Sequence, residues 1–92
     1  MNILYKSRAL DDLQSIHDYI PRNDAAAAKR VIARIETVVK RLSHLPFSGR
    51  PGVVLGTRIL VVPGLPYVAI YRVRNEVVEI ISILHTARRR RS

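Results

Sequence analysis

The sequence closes on Ile83-Leu84-His85-Thr86-Ala87-Arg88-Arg89-Arg90-Arg91-Ser92, a lone histidine after an apolar stretch and before four consecutive arginines. Cleaving RNA by attack of a 2′-hydroxyl needs a base, an acid for the departing oxygen and cations about the phosphate. His85 is the histidine that stands at a strand end near arginines, so it is the candidate base or acid; Arg58, Arg72 and Arg88 are the candidate cations. The set is thin for a nuclease. No tyrosine or second histidine follows His85, and Tyr67 and Tyr71 fall on the opposite face if strand alternation is unbroken. Each residue also has a plainer role. His85 can contact a target without catalysis or make a structural hydrogen bond, and Arg72 can form an ion pair. The arginine run Arg88–Arg91 can be a solvated tail or a salt-sensitive grip on phosphates or acidic groups. His17 and His44 have no metal-ligand spacing, and cysteine is absent, so no metal, cofactor or disulfide is expected.

These side chains need elements to position them. Asn2–Tyr5 reads as a first strand. Ser7 is the expected cap of a first helix, with Asp11 and Asp12 in or near its first turn, where the helix dipole favours acids. Ala9, Leu13, Ile16 and Ile20 recur at helical spacing until Pro21 stops them, and Asn23 or Asp24 caps the next helix. That second helix has the strongest period: Ala28, Val31, Ile35, Val38, Leu42 and Leu45, widened by Ile32 and Val39. Residues 7–45 therefore form an antiparallel helical hairpin with a basic outer surface. Residues 46–56, with two prolines and three glycines, form a loop. The period then changes, and residues 57–62, 67–74 and 77–84 read as strands. A two-residue turn at Asn75-Glu76 pairs Arg74 with Val77 and Arg72 with Glu79. Unbroken alternation puts Val68, Ile70, Arg72, Val77, Glu79, Ile81, Ile83 and His85 on one face, and Tyr67, Ala69, Tyr71, Val78, Ile80 and Leu84 on the other.

Ninety-two residues make one domain, 1–92, with an α+β fold: a short N-terminal strand and a helical hairpin on a three- to four-stranded antiparallel sheet. Net charge is +9, concentrated in residues 25–45 (five basic, one acidic) and 72–92 (six basic, two acidic). That field favours an acidic partner. No recognition-helix pattern indicates sequence-specific nucleic-acid reading. No signal peptide or membrane-crossing stretch is visible, which fits a cytoplasmic protein. Both sheet faces and the loop residues Phe47, Val53, Val54 and Leu55 are apolar, more than two helices can cover, so a protein partner is expected.

The order of elements resembles the ParE/RelE superfamily of bacterial type II toxins over nearly the whole chain. The resemblance rests on S-x-A-x-x-D-L-x-x-I-x-x-Y-I at Ser7–Ile20, L-x-x-x-P-x-x-G-R at Leu42–Arg50, G-T-R-I-L at Gly56–Leu60, Y-x-x-x-Y-R-V at Tyr67–Val73 and H-x-x-R at His85–Arg88. The alanine-rich start of helix two and the P-x-x-G-R loop are closer to ParE; Arg89 and Arg90 depart from the acidic residue and Trp common after H-x-x-R in that branch. The resemblance implies a toxin that inhibits DNA gyrase by binding, without enzymatic activity, in a hetero-oligomer with a ParD-like antitoxin whose acidic amphipathic C-terminal segment folds onto it. Arg58, Arg72, His85 and Arg88 are the expected target contacts, and Leu13, Ile16, Ile20 and Ile32 the expected antitoxin contacts. Two alternatives stay open: a RelE-like ribosome-dependent mRNA interferase using His85, Arg58 and Arg72, and a non-toxic toxin-fold subunit of an antitoxin repressor complex.

Overall fold

Helices form where the 3.6-residue period is clearest. The computed structural model describes the backbone of residues 1–89. In it α1 spans Ser7–Tyr19 and α2 spans Ala25–Lys40, with single 3-10 turns at Arg22–Asp24 and Arg41–Ser43 on either side of α2. Asp24 caps α2 by accepting from the Ala27 N–H at 3.3 Å, as expected. α1 begins differently. Its N-cap is Lys6, which lacks a side-chain cap, so Ser7 is the first helical residue, and Asp11 and Asp12 lie beyond the first turn. The Lys6 N–H donates to Ile80 O at 2.9 Å, which ties the helix entry to the sheet.

The sheet has five strands: β1 (Asn2–Tyr5), β2 (Arg50–Pro51), β3 (Arg58–Val61), β4 (Tyr67–Arg74) and β5 (Val77–His85), in the order β1-β5-β4-β3-β2. Strands β2 to β5 are antiparallel, while β1 adds to β5 in parallel, so the sheet is mixed and one strand wider than the expected core. Parallel pairing is open to β1 because the intervening helices and strands supply a long crossover. Asn75 and Glu76 both have positive φ, 53° and 61°, the signature of a type I′ turn. The pairs Arg74↔Val77 and Arg72↔Glu79 follow as expected.

Beyond that point alternation breaks. Tyr71 pairs with Ile80 but Ile70 pairs with Ser82, so β5 carries one extra residue, a β-bulge. Every later side chain on β5 changes face: Ile83 and His85 turn toward the helices and Leu84 away from them. The expected opposition of His85 to Tyr67 is therefore corrected. They are direct cross-strand partners on one face. The bulge is held from outside the sheet, since Asp12 Oδ2 accepts from Ser82 Oγ at 2.7 Å and from the Ile83 N–H at 2.9 Å.

The helix-side face of the sheet supplies Tyr67, Ala69, Tyr71, Val78, Ile80 and Ile83 to a core completed by Ala9, Ile16, Ile35, Val38, Val39 and Leu42. Tyr71 is the largest fully buried side chain. After β5 a short helix α3 covers Thr86–Arg89, and the Thr86 N–H donates to Pro66 O at 2.9 Å.

Candidate functional site

The expected target residues do not converge on one point. Arg58 and His85 share the helix-side face, but Arg58 pairs with Tyr71 and His85 with Tyr67. Four residues along β4, roughly 13 Å, and two strand spacings across it, roughly 10 Å, separate their backbones. Arg72 points to the opposite face. It donates from Nε to Glu79 Oε1 at 2.5 Å, and Arg74 Nη2 lies 3.6 Å from Glu79 Oε2. That Glu79 carboxyl is buried among strands and is held below the usual carboxylate range. The hydrogen bond from Arg72 is the main cause; burial opposes it, and the charges of Arg74, Arg72 and Lys6 assist. The ion pair read from the sequence is thus real, and it removes Arg72 from any shared anion site with His85.

Arg58 is also engaged. Its Nη1 donates to Gly49 O at 2.8 Å and to Phe47 O at 3.2 Å, and its guanidinium lies 5.1 Å from the Phe47 ring centroid. The Gly49 N–H in turn donates to the buried Tyr71 hydroxyl at 2.9 Å. A Cβ at position 49 would stand 2.6 Å from that oxygen and 2.8 Å from Ile59 O, which is why the loop motif needs glycine there. Tyr71, Gly49 and Arg58 form one chain of contacts that fastens the loop to β3 and β4.

At the far end of the sheet the His85 ring meets Tyr67 edge-on, 5.4 Å between centroids and 90° between planes. His85 Nδ1 accepts from the Ala87 N–H at 3.1 Å, so in this arrangement the ring proton sits on Nε2. The backbone of Arg88 follows in α3, one turn past this pair. The end of the arginine run, Arg90 and Arg91, lies outside the described residues. Among the described residues no group of His, Asp or Glu side chains could hold a metal, and no helix is long and apolar enough to cross a membrane.

Two surfaces carry the apolar surplus. On the hairpin, Leu13 and Ile32 are half-buried against the core, and Ile20 lines a hollow with His17, Pro21 and Ala28. Ile16 is only 4% exposed and belongs to the core, which corrects its expected place among outward antitoxin contacts: helix rotation turns it onto the sheet. On the sheet face away from the helices, Ile59, Ile70 and Leu84 floor a groove of about 460 Å³, with Val53 and Val54 as one wall and Arg8 at its rim. The apolar loop is legible in the sequence but the groove is not, because Leu84 joins its floor only through the bulge.

With this geometry in place, comparison with known proteins is decisive. Residues 3–90 match the model of the ParE toxin of the type II toxin–antitoxin system parDE. The chain belongs to the ParE toxin family. It is 45% identical to the protein Y4kP of Sinorhizobium fredii over 83 residues, covering 90% of this chain and 85% of that protein. It is 37% identical to the toxin RelE2 of Caulobacter vibrioides, covering 94% and 96%. Among solved structures, the chromosomal ParDE system of P. aeruginosa superposes with a TM-score of 0.84 at 28% identity, over 92% of this chain and 95% of that one. The RelBE2 toxin–antitoxin complex of Mycobacterium tuberculosis shares the fold, with a TM-score of 0.65 at 22% identity over 91% and 95%. This ParE-family chain is therefore a type II toxin, and the motif residues Asp12, Gly49 and Tyr71 are fold-setting contacts within it.

Proposed function

We propose that this toxin acts by binding DNA gyrase and is neutralised by an antitoxin whose acidic amphipathic segment covers its apolar surface. One observation carries the preference for binding over cleavage: the three cationic or protic groups nominated for chemistry are dispersed and each is already bonded. Arg58 is held by two carbonyls, Arg72 by Glu79, and His85 Nδ1 by the Ala87 N–H. A phosphate placed beside His85 would find neither arginine within reach of its oxygens. Target contact is assigned to the His85–Arg88 end and to the Arg58 loop, with Arg72 serving the fold. Antitoxin contact is assigned to Leu13, Ile20 and Ile32. The charge of +9 suits an acidic antitoxin segment.

One observation favours a second reading. The Tyr67–His85 pair sets a phenol against an imidazole at the end of the sheet, two protic groups that a ribosome-dependent mRNA interferase could use. The purified chain, added to a gyrase supercoiling assay and to a translation extract, separates the two. Loss of supercoiling with intact mRNA supports gyrase binding. Cleavage of mRNA that disappears in His85→Ala supports the interferase. Inertness in both, with antitoxin still bound, leaves only a repressor-complex subunit.

A further inference from the structure

Residues 81–85 of β5 are compatible with two pairings, and their own side chains do not choose between them. In the bulged register Ile83 stands opposite Ala69 and His85 opposite Tyr67. Continuing the hairpin register without the bulge would set Ser82 opposite Ala69 and Leu84 opposite Tyr67. Each arrangement sends one aliphatic and one polar side chain to the helix side, so burial separates them little. The bulge itself counts against the observed pairing, because it leaves a residue of β5 out of the ladder.

The deciding contacts come from α1. β1 pairs with β5 only as far as Ile80, so among the described residues no strand borders the next stretch of that edge. Asp12 stands there instead, where Oδ2 accepts from Ser82 Oγ at 2.7 Å and from the Ile83 N–H at 2.9 Å. Both bonds belong to one register. A slip of one residue turns the Ile83 N–H toward β4 and the Ser82 side chain toward the core, and Asp12 loses both donors. With its side chain only 19% exposed, Asp12 has little water to take their place.

We propose that Asp12 is a positioning residue for the toxin's target end: by selecting the bulged register it brings His85 beside Tyr67. The inference rests on the toxin reading above, in which His85 meets the target whether that is gyrase or the ribosome. In the slipped register His85 would stand on the groove side and Leu84 against Tyr67, and the 5.4 Å edge contact between the rings would not exist. The operative feature is the acceptor oxygen rather than the charge. Arg8 lies 3.6 Å from Asp12 Oδ1, but its side chain is 72% exposed, and such a pair adds little. A helix outside the sheet thus sets what the end of β5 shows to a partner.

The test compares wild type with Asp12→Ala, Asp12→Asn and Arg8→Ala, each below the onset of its thermal melt. Nuclear Overhauser contacts report the register directly: Tyr67 ring to His85 ring when bulged, Tyr67 ring to Leu84 methyls when slipped. Wild type, Asp12→Asn and Arg8→Ala are expected to show only the first set, and Asp12→Ala to exchange between the two. Potency of Asp12→Ala should fall at least about tenfold in whichever of the supercoiling and translation assays the wild type is active, with Asp12→Asn restoring it. Ser82→Ala supplies the same reading if Asp12→Ala does not fold, since it removes one bond and suits residue 82 to the core. Tyr67–His85 contacts alone in the folded alanine variants overturn the proposal. So do slipped contacts with undiminished potency, or an Asp12→Asn that slips as far as Asp12→Ala. A wild type inert in both assays instead removes the toxin reading, and with it the target end that Asp12 is proposed to position.

Discussion

Asp12 in α1 and Ser82 in β5 lie 70 residues apart in sequence and meet in a 2.7 Å hydrogen bond. The same carboxylate oxygen accepts the Ile83 N–H at 2.9 Å, while Oδ1 lies 3.6 Å from Arg8 Nε. A helix side chain thereby supplies partners at the place where the β4–β5 ladder slips. The slip decides which face His85 and Leu84 occupy, so Asp12 acts at a distance on both candidate surfaces.

Asp12→Ala leaves the Ile83 N–H and the Ser82 hydroxyl without their acceptor. The expected cost is about 1–3 kcal/mol in urea unfolding, with a smaller loss for Asp12→Asn, which keeps an acceptor oxygen. Amide exchange localises the effect: Ile83 should lose protection before Val78 or Ile80, which lie on the hairpin side of the bulge. Uniform loss along β5 would show that the bulge is held by packing alone.

Gly49→Ala forces a methyl group against Tyr71 Cε1 at 2.7 Å and against a backbone oxygen that cannot rotate away. Overpacking of this kind costs roughly 1–3 kcal/mol. Tyr71→Phe keeps the ring and removes only the acceptor of the Gly49 N–H, so it should cost about 1 kcal/mol. Chemical denaturation of both variants checks the order, and a harmless Gly49→Ala would disprove the close approach.

Glu76 occupies the second central position of the hairpin turn at φ 61°, a place suited to glycine. Glu76→Gly should relieve the left-handed strain and raise stability by about 0.5–1 kcal/mol, with Asn75 unchanged. A lower melting temperature in this variant would mean that the Glu76 side chain contributes more than its backbone costs.

The Arg72–Glu79 pair sets the acid limb of stability. Because the folded Glu79 carboxyl titrates below its ordinary value of 4.5, its contribution is fully present above that value and is lost as pH falls through the folded one. Glu79→Gln should flatten the dependence of melting temperature on pH below about 5 while lowering it at neutrality. At the alkaline end the Tyr5 phenol is pushed up to about 12, by burial first and by Glu36 second. Its stabilisation is whole below pH 10 and disappears as pH rises through 12, a change that absorbance of the phenolate follows.

Local rules made much of this molecule legible. The period of α2, the Asp24 cap and the Asn75-Glu76 turn depend on neighbours within a few residues, and the Arg72–Glu79 pair follows directly from that turn. The bulge does not. Nothing in Ile80-Ile81-Ser82 breaks alternation by itself; the acceptor that permits it is on another element. For the same reason unbroken alternation places Tyr67 and His85 on opposite faces, although their rings touch. Arg58 resembled a free cation because its partners are backbone carbonyls, which carry no sequence signature. Ile16 lies on the same apolar stripe as Leu13 and Ile20, and only the docking angle of α1 decides which of the three is covered.

The parallel pairing of β1 has a consequence for the order in which the chain is made. Residues 2–5 are made before both helices, yet their sheet neighbours among the described residues are residues 77–80. The helical hairpin can form and wait, but β1 stays unmatched until β5 has been translated. A nascent chain that has not yet made β5 can pair β2, β3 and β4 but has no partner for β1, so β1 joins the sheet only after residues 77–80 have emerged.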